Sequence, residues 1–218
     1  MGVVCSASSL AACEGALSTI DPAGPSAVRV ADLWWWMLGG SILLAALVFA
    51  LLLVGLFRRG VAVREKRGNK GVWIGWLGLA MPVTVLMILL GFALWVGERN
   101  LSAGPAAETI EVTAYSYGWE FCYEDGGCSE GVLRIPTGRP VDLNIRATDV
   151  IHSLWIPRLA GKMDAIPGQV NRLRIEADAP GTYEAVCAEY CGVGHASHRF
   201  VVEAYEAQSA DNLTGAAR

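Results

Sequence analysis

Two stretches without a single charged residue constrain this chain more than any other feature. Positions 33–57 lie between Asp32 and Arg58, and positions 71–97 lie between Lys70 and Glu98. A helix needs about 20 apolar residues, at ~1.5 Å of rise each, to cross the hydrocarbon of a bilayer. Both windows reach that length. Trp34, Trp35 and Trp36 open the first, and Trp73, Trp76 and Trp95 flank the second. Tryptophan at such edges anchors a helix in the headgroup region. Pro82 falls within the second window, where a membrane helix accommodates it with a kink. The alternative, two buried helices of a soluble core, conflicts with the rarity of such long uncharged runs in soluble domains. The composition agrees: 53% hydrophobic residues and a mean hydropathy of +0.39 leave an apolar surplus that needs a bilayer or a partner.

The segment between the windows, 58–70, carries Arg58, Arg59, Arg64, Lys66, Arg67 and Lys70 against a lone Glu65. Short basic loops stay in the cytoplasm. Both chain ends then lie outside, and everything after Glu98 is extracytoplasmic. The sequence divides accordingly into a leader and outer segment (1–32), a helix hairpin (33–97), a linker (98–107), a β-domain (108–206) and a tail (207–218). Leu10-Ala11-Ala12-Cys13 has the form of a bacterial lipobox, which makes Cys13 a lipidation candidate, although the basic region of an ordinary signal peptide is missing.

After the linker the pattern changes to short runs rich in Val, Thr, Ile and aromatic residues. Two of them, starting at Val141 and Val170, alternate with period two. Turn signals such as Asp125-Gly126-Gly127 and Ala179-Pro180-Gly181 separate the runs. Short strands at this spacing predict a β-sandwich or barrel of about 100 residues. The net charge of −4 argues against nucleic acid as a partner, since that needs a basic face. From Pro105 onward there are 9 Lys+Arg against 16 Asp+Glu. That acidity serves solubility, or attracts a cationic partner and speeds its arrival.

The chemistry concentrates in Cys187-Ala-Glu189-Tyr-Cys191-Gly-Val-Gly-His195-Ala-Ser-His198, just before the last strand-like run. The remaining histidine, His152, lies upstream in Ile151-His152-Ser-Leu-Trp-Ile-Pro. Thiolate with imidazole selects copper, zinc or iron over magnesium or calcium. A Cys187–Cys191 disulfide and a structural zinc site are the competing readings. A β-domain outside the cytoplasm with Cys and His in its last loop leans toward copper.

These segments, with Lys162-Met-Asp164-Ala-Ile-Pro-Gly168, Tyr115-Ser-Tyr117-Gly-Trp119 and the preceding helix hairpin, closely resemble subunit II of the haem–copper cytochrome c oxidases. The resemblance covers roughly residues 25–205. It implies a two-helix transmembrane hairpin followed by an all-β cupredoxin-like Greek-key barrel. It implies a dinuclear copper centre, CuA, bridged by Cys187 and Cys191, with His152 and His195 as terminal ligands. The Glu189 carbonyl would be a weak ligand, and its carboxylate would face a magnesium or manganese shared with subunit I. Function follows by resemblance: a cytochrome-c oxidase subunit that takes electrons from cytochrome c and passes them to haem in subunit I, which reduces oxygen to water. Subunit III and membrane lipid are further implied partners. The location would be the bacterial inner membrane, multi-pass, with the β-domain on the periplasmic side.

Three departures from the family pattern matter. His198 stands where the family has a methionine ligand; it binds as a stronger, harder donor, turns away, or impairs the centre. Tyr117 replaces a tryptophan in the aromatic run, so Tyr115, Tyr117 and Trp119 are either an electron-uptake and docking face or packed strand residues. The start of the second helix lacks the glutamate common at a proton-channel mouth. Apart from the copper loop, Cys122 and Cys128 flank a turn and suit a disulfide in an oxidising compartment. No Cys-x-x-Cys-His occurs, so no c-type haem is attached. The alternatives to the oxidase reading are a quinol-oxidase-type subunit II and a membrane-tethered copper-binding module or chaperone.

Overall fold

The computed structural model describes residues 14–57, 71, 73–100, 104–106 and 108–206. Cys13, the basic segment 58–70 and the tail 207–218 lie outside the described residues. The chain divides into two units, one of residues 32–99 and one that joins the N-terminal segment to everything from Asn100 onward.

The first unit is helical. Helix α1 spans Pro25–Phe57, and α2 spans Met81–Arg99. A π-helical stretch, Trp73–Ala80, leads into α2. Pro82, the second residue of α2, has no N–H for the helical ladder. The wider π turns just before it are one way a helix absorbs that gap. Two stretches are long and apolar enough to cross a membrane, Pro25–Phe57 and Ile74–Arg99, with mean hydropathies of 2.7 and 2.4. Their apolar side chains, among them Leu43, Phe49, Leu86 and Ile88, are exposed.

Helix α1 starts eight residues before the first charge-free window, and the β-domain explains why. The Ala23 N–H donates to the Arg158 carbonyl (2.7 Å), the Asp178 N–H to the Ala23 carbonyl (2.9 Å), and the Ala27 N–H to the Leu159 carbonyl (3.3 Å). Arg158 pairs with Asp21 at 2.9 Å. A Cβ on Gly24 would collide with the Glu176 carbonyl, so only glycine fits that backbone approach. Residues 21–27 of the segment read as leader and outer segment are therefore stitched onto the outer domain.

That domain is a sandwich of two five-stranded sheets. One has the order β3-β2-β1-β5-β8, the other β4-β10-β9-β6-β7. In chain order the strands are β1 Glu108–Tyr115, β2 Gly118–Cys122, β3 Cys128–Glu130, β4 Val132–Pro136, β5 Val141–Ala147, β6 His152–Trp155, β7 Met163–Ala165, β8 Asn171–Ile175, β9 Gly181–Cys187 and β10 Arg199–Tyr205. Most neighbours are antiparallel, but β1 pairs with β5 and β4 with β10 in parallel. These crossings between hairpins give the Greek-key, cupredoxin-like sandwich that the sequence led us to expect. Alternation builds the core: Ile110, Val112 and Ala114 on β1 face Leu143 and Ile145 on β5, with Trp119, Phe121, Phe200 and Val202 between the sheets. Each large apolar side chain buried this way contributes about 1.5–3 kcal/mol.

Cys122 and Cys128 are joined by a disulfide, and they are partners in the register of the β2–β3 hairpin. The turn closes with the Tyr123 N–H on the Gly127 carbonyl, and Gly126 takes φ +87°. Because the loop is short, replacing both cysteines with serine should cost only about 2 kcal/mol. Thermal unfolding under non-reducing conditions tests this; an unchanged midpoint would show that the crosslink adds nothing.

Candidate metal centre

The antiparallel pairing of β6 with β9 sets the site. Leu154 lies opposite Cys187, which brings the start of β6 beside the end of β9. His152 opens β6, and Cys187 is the last inward-facing residue of β9 after Tyr183 and Ala185. The chain then loops through Cys191, makes a short 3₁₀ turn at His195–Ser197, and enters β10 directly after His198. Thirty-five residues of sequence separation are closed by one strand pair.

The two sulfurs are the hub. Cys187 Sγ and Cys191 Sγ are 3.9 Å apart. Cys187 Sγ lies 4.0 Å from His152 Nδ1 and 3.2 Å from the Glu189 carbonyl oxygen. Cys191 Sγ lies 3.6 Å from both His195 Nδ1 and His198 Nδ1. Two donors ~2.0–2.3 Å from one metal at a tetrahedral angle sit about 3.5–3.8 Å from each other. The observed spacings, 3.2–4.0 Å, fall around that range, so the side chains are placed closely enough to hold metal ions between them, and both cysteines are free thiols. The donor set fits copper: two thiolates, three imidazoles and a carbonyl exceed the four positions of a single tetrahedral ion.

All three imidazoles present Nδ1 to the sulfurs, and two are held from behind. His152 Nε2 contacts Asp149 Oδ1 at 2.8 Å, and His198 Nε2 donates to the Gly118 carbonyl at 3.2 Å. Such outer contacts choose the tautomer and aim the lone pair. Burial works against ionisation of Asp149, yet hydrogen bonds from Ser116 and His152 outweigh it and hold the carboxyl well below the usual range. It is an anion at any ordinary pH, fit to polarise the His152 ring. Burial holds His198 below the usual imidazole value, which keeps its ring neutral and its lone pair available. Burial and the neighbouring Cys187 push the Cys191 thiol up to about 11, so a metal must displace its proton. Asp149→Asn should weaken copper binding about 10–100-fold while the fold survives. Competition with a chelator measures it, and unaltered affinity would discount the Asp149 contact.

The aromatic run divides. Trp119 is 1% exposed and cannot meet an incoming protein. Its inward position on β2 stacks the indole on His198, with centroids 5.1 Å apart and planes at 28°. Its indole N–H has no hydrogen-bond partner among the described residues. Tyr115 is half-buried and its hydroxyl reaches Glu130 at 3.2 Å. Tyr117 is 44% exposed. Its ring covers the metal loop so closely that a Cβ on Gly192 or Gly194 would strike it. Of the three aromatics expected at a docking face, only Tyr117 sits both at the surface and over the site. The sequence carried no signal for Asp149 or Gly118, because nothing in their spacing ties them to the histidines.

Glu189 points its carboxylate to solvent and pairs with Lys162 at 3.6 Å, which also pairs with Asp164 at 3.4 Å. Ser153 donates to Asp164 at 2.8 Å.

Residues 128–205 match the family model described as the periplasmic domain of cytochrome c oxidase subunit II. Cytochrome c oxidase subunit 2 of Alkalihalophilus pseudofirmus is 32% identical over 211 residues, which cover 91% of this chain and 61% of that protein. The chain is similar to cytochrome c oxidase subunit II. The subunit II likeness extends to quinol oxidase subunit 2 of Bacillus subtilis, 29% identical over 214 residues, with 89% of this chain and 64% of that protein covered. The periplasmic domain of cytochrome oxidase subunit II of Bradyrhizobium japonicum superposes with a TM-score of 0.47 at 22% identity, over 52% of this chain and 93% of that one. The chain spans about three fifths of the length of the Alkalihalophilus pseudofirmus and Bacillus subtilis subunit 2 proteins, and only 37% and 33% of the subunit 2 proteins of Synechocystis and Thermostichus vulcanus.

Proposed function

We propose that this chain is the electron-accepting subunit of a bacterial haem–copper oxidase. A dinuclear copper centre is held by Cys187, Cys191, His152, His195, His198 and the Glu189 carbonyl. It receives electrons from cytochrome c and delivers them to haem in subunit I, where oxygen is reduced to water. The helices anchor the chain in the inner membrane beside subunits I and III, with the β-domain on the periplasmic side. The observation that carries this reading is the convergence of all three histidines on two free, buried thiols.

When bound through the Cys187 and Cys191 thiolates, copper would supply a one-electron relay. The protein's part is positional. The sandwich end keeps water from the sulfurs, because His152, Cys187, Cys191 and His198 are all buried. Asp149 and the Gly118 carbonyl hold two of the rings, so little reorganisation accompanies each electron. Tyr117, lying on Gly192 and Gly194, offers an exposed aromatic face over the metal loop. The acidic outer domain attracts a cationic donor, an effect that salt weakens. The magnesium or manganese implied at Glu189 would compete with the Lys162 ammonium and would need further oxygen donors from a partner.

The quinol oxidase relative favours a second reading, a subunit II without copper. Electron paramagnetic resonance of the full chain, reduced and then loaded with copper in detergent, separates the two. The expected spectrum shows one electron shared by two copper nuclei. A mononuclear hyperfine pattern would remove the dinuclear centre. Failure to retain copper, with quinol-dependent turnover of the purified complex, would establish the second reading.

A further inference from the structure

We infer that His152, Cys187, Cys191 and His198 form a complete four-donor site that takes one thiophilic divalent cation by itself, before the second metal is bound. The inference deepens the proposed copper centre and rests on that reading only for the second metal. Its basis is the uneven placement of the donors. The ligand atoms of these four residues all lie within 4.8 Å of one another, and all four residues are buried. A tetrahedral metal asks for four such donors and no more. His195 is outside that mutual group, although its Nδ1 is 3.6 Å from Cys191 Sγ. The Glu189 carbonyl lies 3.2 Å from Cys187 Sγ and stands apart from those four side chains as a backbone donor. The six donors therefore fall into a closed set of four and an open pair, with the sulfurs common to both.

The two sets also differ in support. His152 is fastened by Asp149 at 2.8 Å and His198 by the Gly118 carbonyl at 3.2 Å, and the Trp119 indole lies against the His198 ring. His195 sits on a three-residue 3₁₀ turn, half-buried, with the exposed Tyr190 as its ring neighbour at 5.7 Å. Outer contacts of this kind are worth about 10–100-fold in metal affinity. The supported set therefore fills first. A methionine at position 198 could not close it, since a thioether is a weaker donor than imidazole for a divalent cation. On binding, each thiol gives its proton to solvent as its sulfur bonds to the metal, and no electron moves.

Cobalt(II) tests this without oxidising the thiols. The reduced full chain in detergent is titrated anaerobically while the sulfur-to-cobalt and tetrahedral ligand-field bands are followed. The expected result is two steps, the first complete at one equivalent with a tetrahedral spectrum. His195→Ala should leave that first step within about threefold of wild type and remove the second. His198→Ala, which removes a donor outright, should weaken the first step by more than the ~10–100-fold that losing an outer contact costs, and His198→Met, which leaves only a weak thioether there, should weaken it as well. Equal damage to the first step from His195→Ala and His198→Ala would overturn the inference. So would uptake of two equivalents in one undivided step. If the first cobalt step behaves as expected while copper never gives the shared-electron spectrum, the four-donor site stands and the dinuclear reading falls.

Discussion

Given the proposed dinuclear centre, Cys191→Ser is expected to abolish binding of both metals. Its sulfur is 3.9 Å from Cys187 Sγ and 3.6 Å from the Nδ1 of both His195 and His198, so each donor set loses a thiolate at once. Serine offers a hydroxyl too weakly acidic to ionise against a borderline or soft ion. The loss should exceed the ~10–100-fold that removing an outer contact costs. Metal analysis after gel filtration, together with the visible sulfur-to-copper absorption, reads the result. Full copper retention with unchanged absorption would mean that Cys191 does not bridge. The fold should persist, because Cys191 lies in a loop and not in either sheet. Circular dichroism of the variant confirms that the loss is one of ligation.

Asp142→Ala should be the most destabilising single change in the outer domain outside its apolar core. Asp142 is fully buried on β5, where alternation would have placed it outward with Asn144 and Arg146. Its carboxylate accepts from Arg174 Nε at 2.7 Å and Nη2 at 2.8 Å, and from Arg172 at 2.8 Å. Arg174 also donates to the Gly104 carbonyl at 2.9 Å, which ties the linker to β8. Removing one member of a buried ion pair leaves charge without compensation and costs roughly 3–5 kcal/mol. Both arginines reach some solvent, which places the expected loss near about 3 kcal/mol. Denaturant unfolding of the full chain in detergent measures it, and a change below about 1 kcal/mol would show that the carboxylate is a bystander.

The same group predicts a pH response. The Arg174 hydrogen bonds, opposed by burial and helped by both arginine charges, hold Asp142 below the ordinary aspartate value of 3.8. A carboxyl with a depressed folded pKa stabilises the fold above its unfolded pKa and loses that contribution as pH falls through its folded one. The wild type should therefore lose this part of its stability only below about pH 4, and Asp142→Ala should lack that acid limb.

Much of this molecule is legible before any fold is known. The uncharged windows dictate spanning helices because a bilayer tolerates little else. The Cys187–His198 segment names the donors because five chemically suited residues with two fixed spacings rarely serve packing alone. The paired Cys122 and Cys128 follow from a turn that can only bring its flanks together. The resemblance to oxidase subunit II rests on these same residues.

What the sequence left open is whatever depends on two distant segments meeting. Pairing of β6 with β9 decides that His152 reaches the sulfurs, and Asp149 and Gly118 then fall behind the rings. The aromatic run reads alike at all three positions, yet the pleat buries Trp119 against His198 and leaves Tyr117 over the loop. Residues 21–27 show no periodic signal, because what holds them is backbone hydrogen bonding to Arg158, Leu159 and Asp178, which no side-chain pattern encodes. Donor identity is local chemistry and is written in residue types. Which donors share a metal is set by ångström-scale distances across the sandwich, and only the folded chain has those.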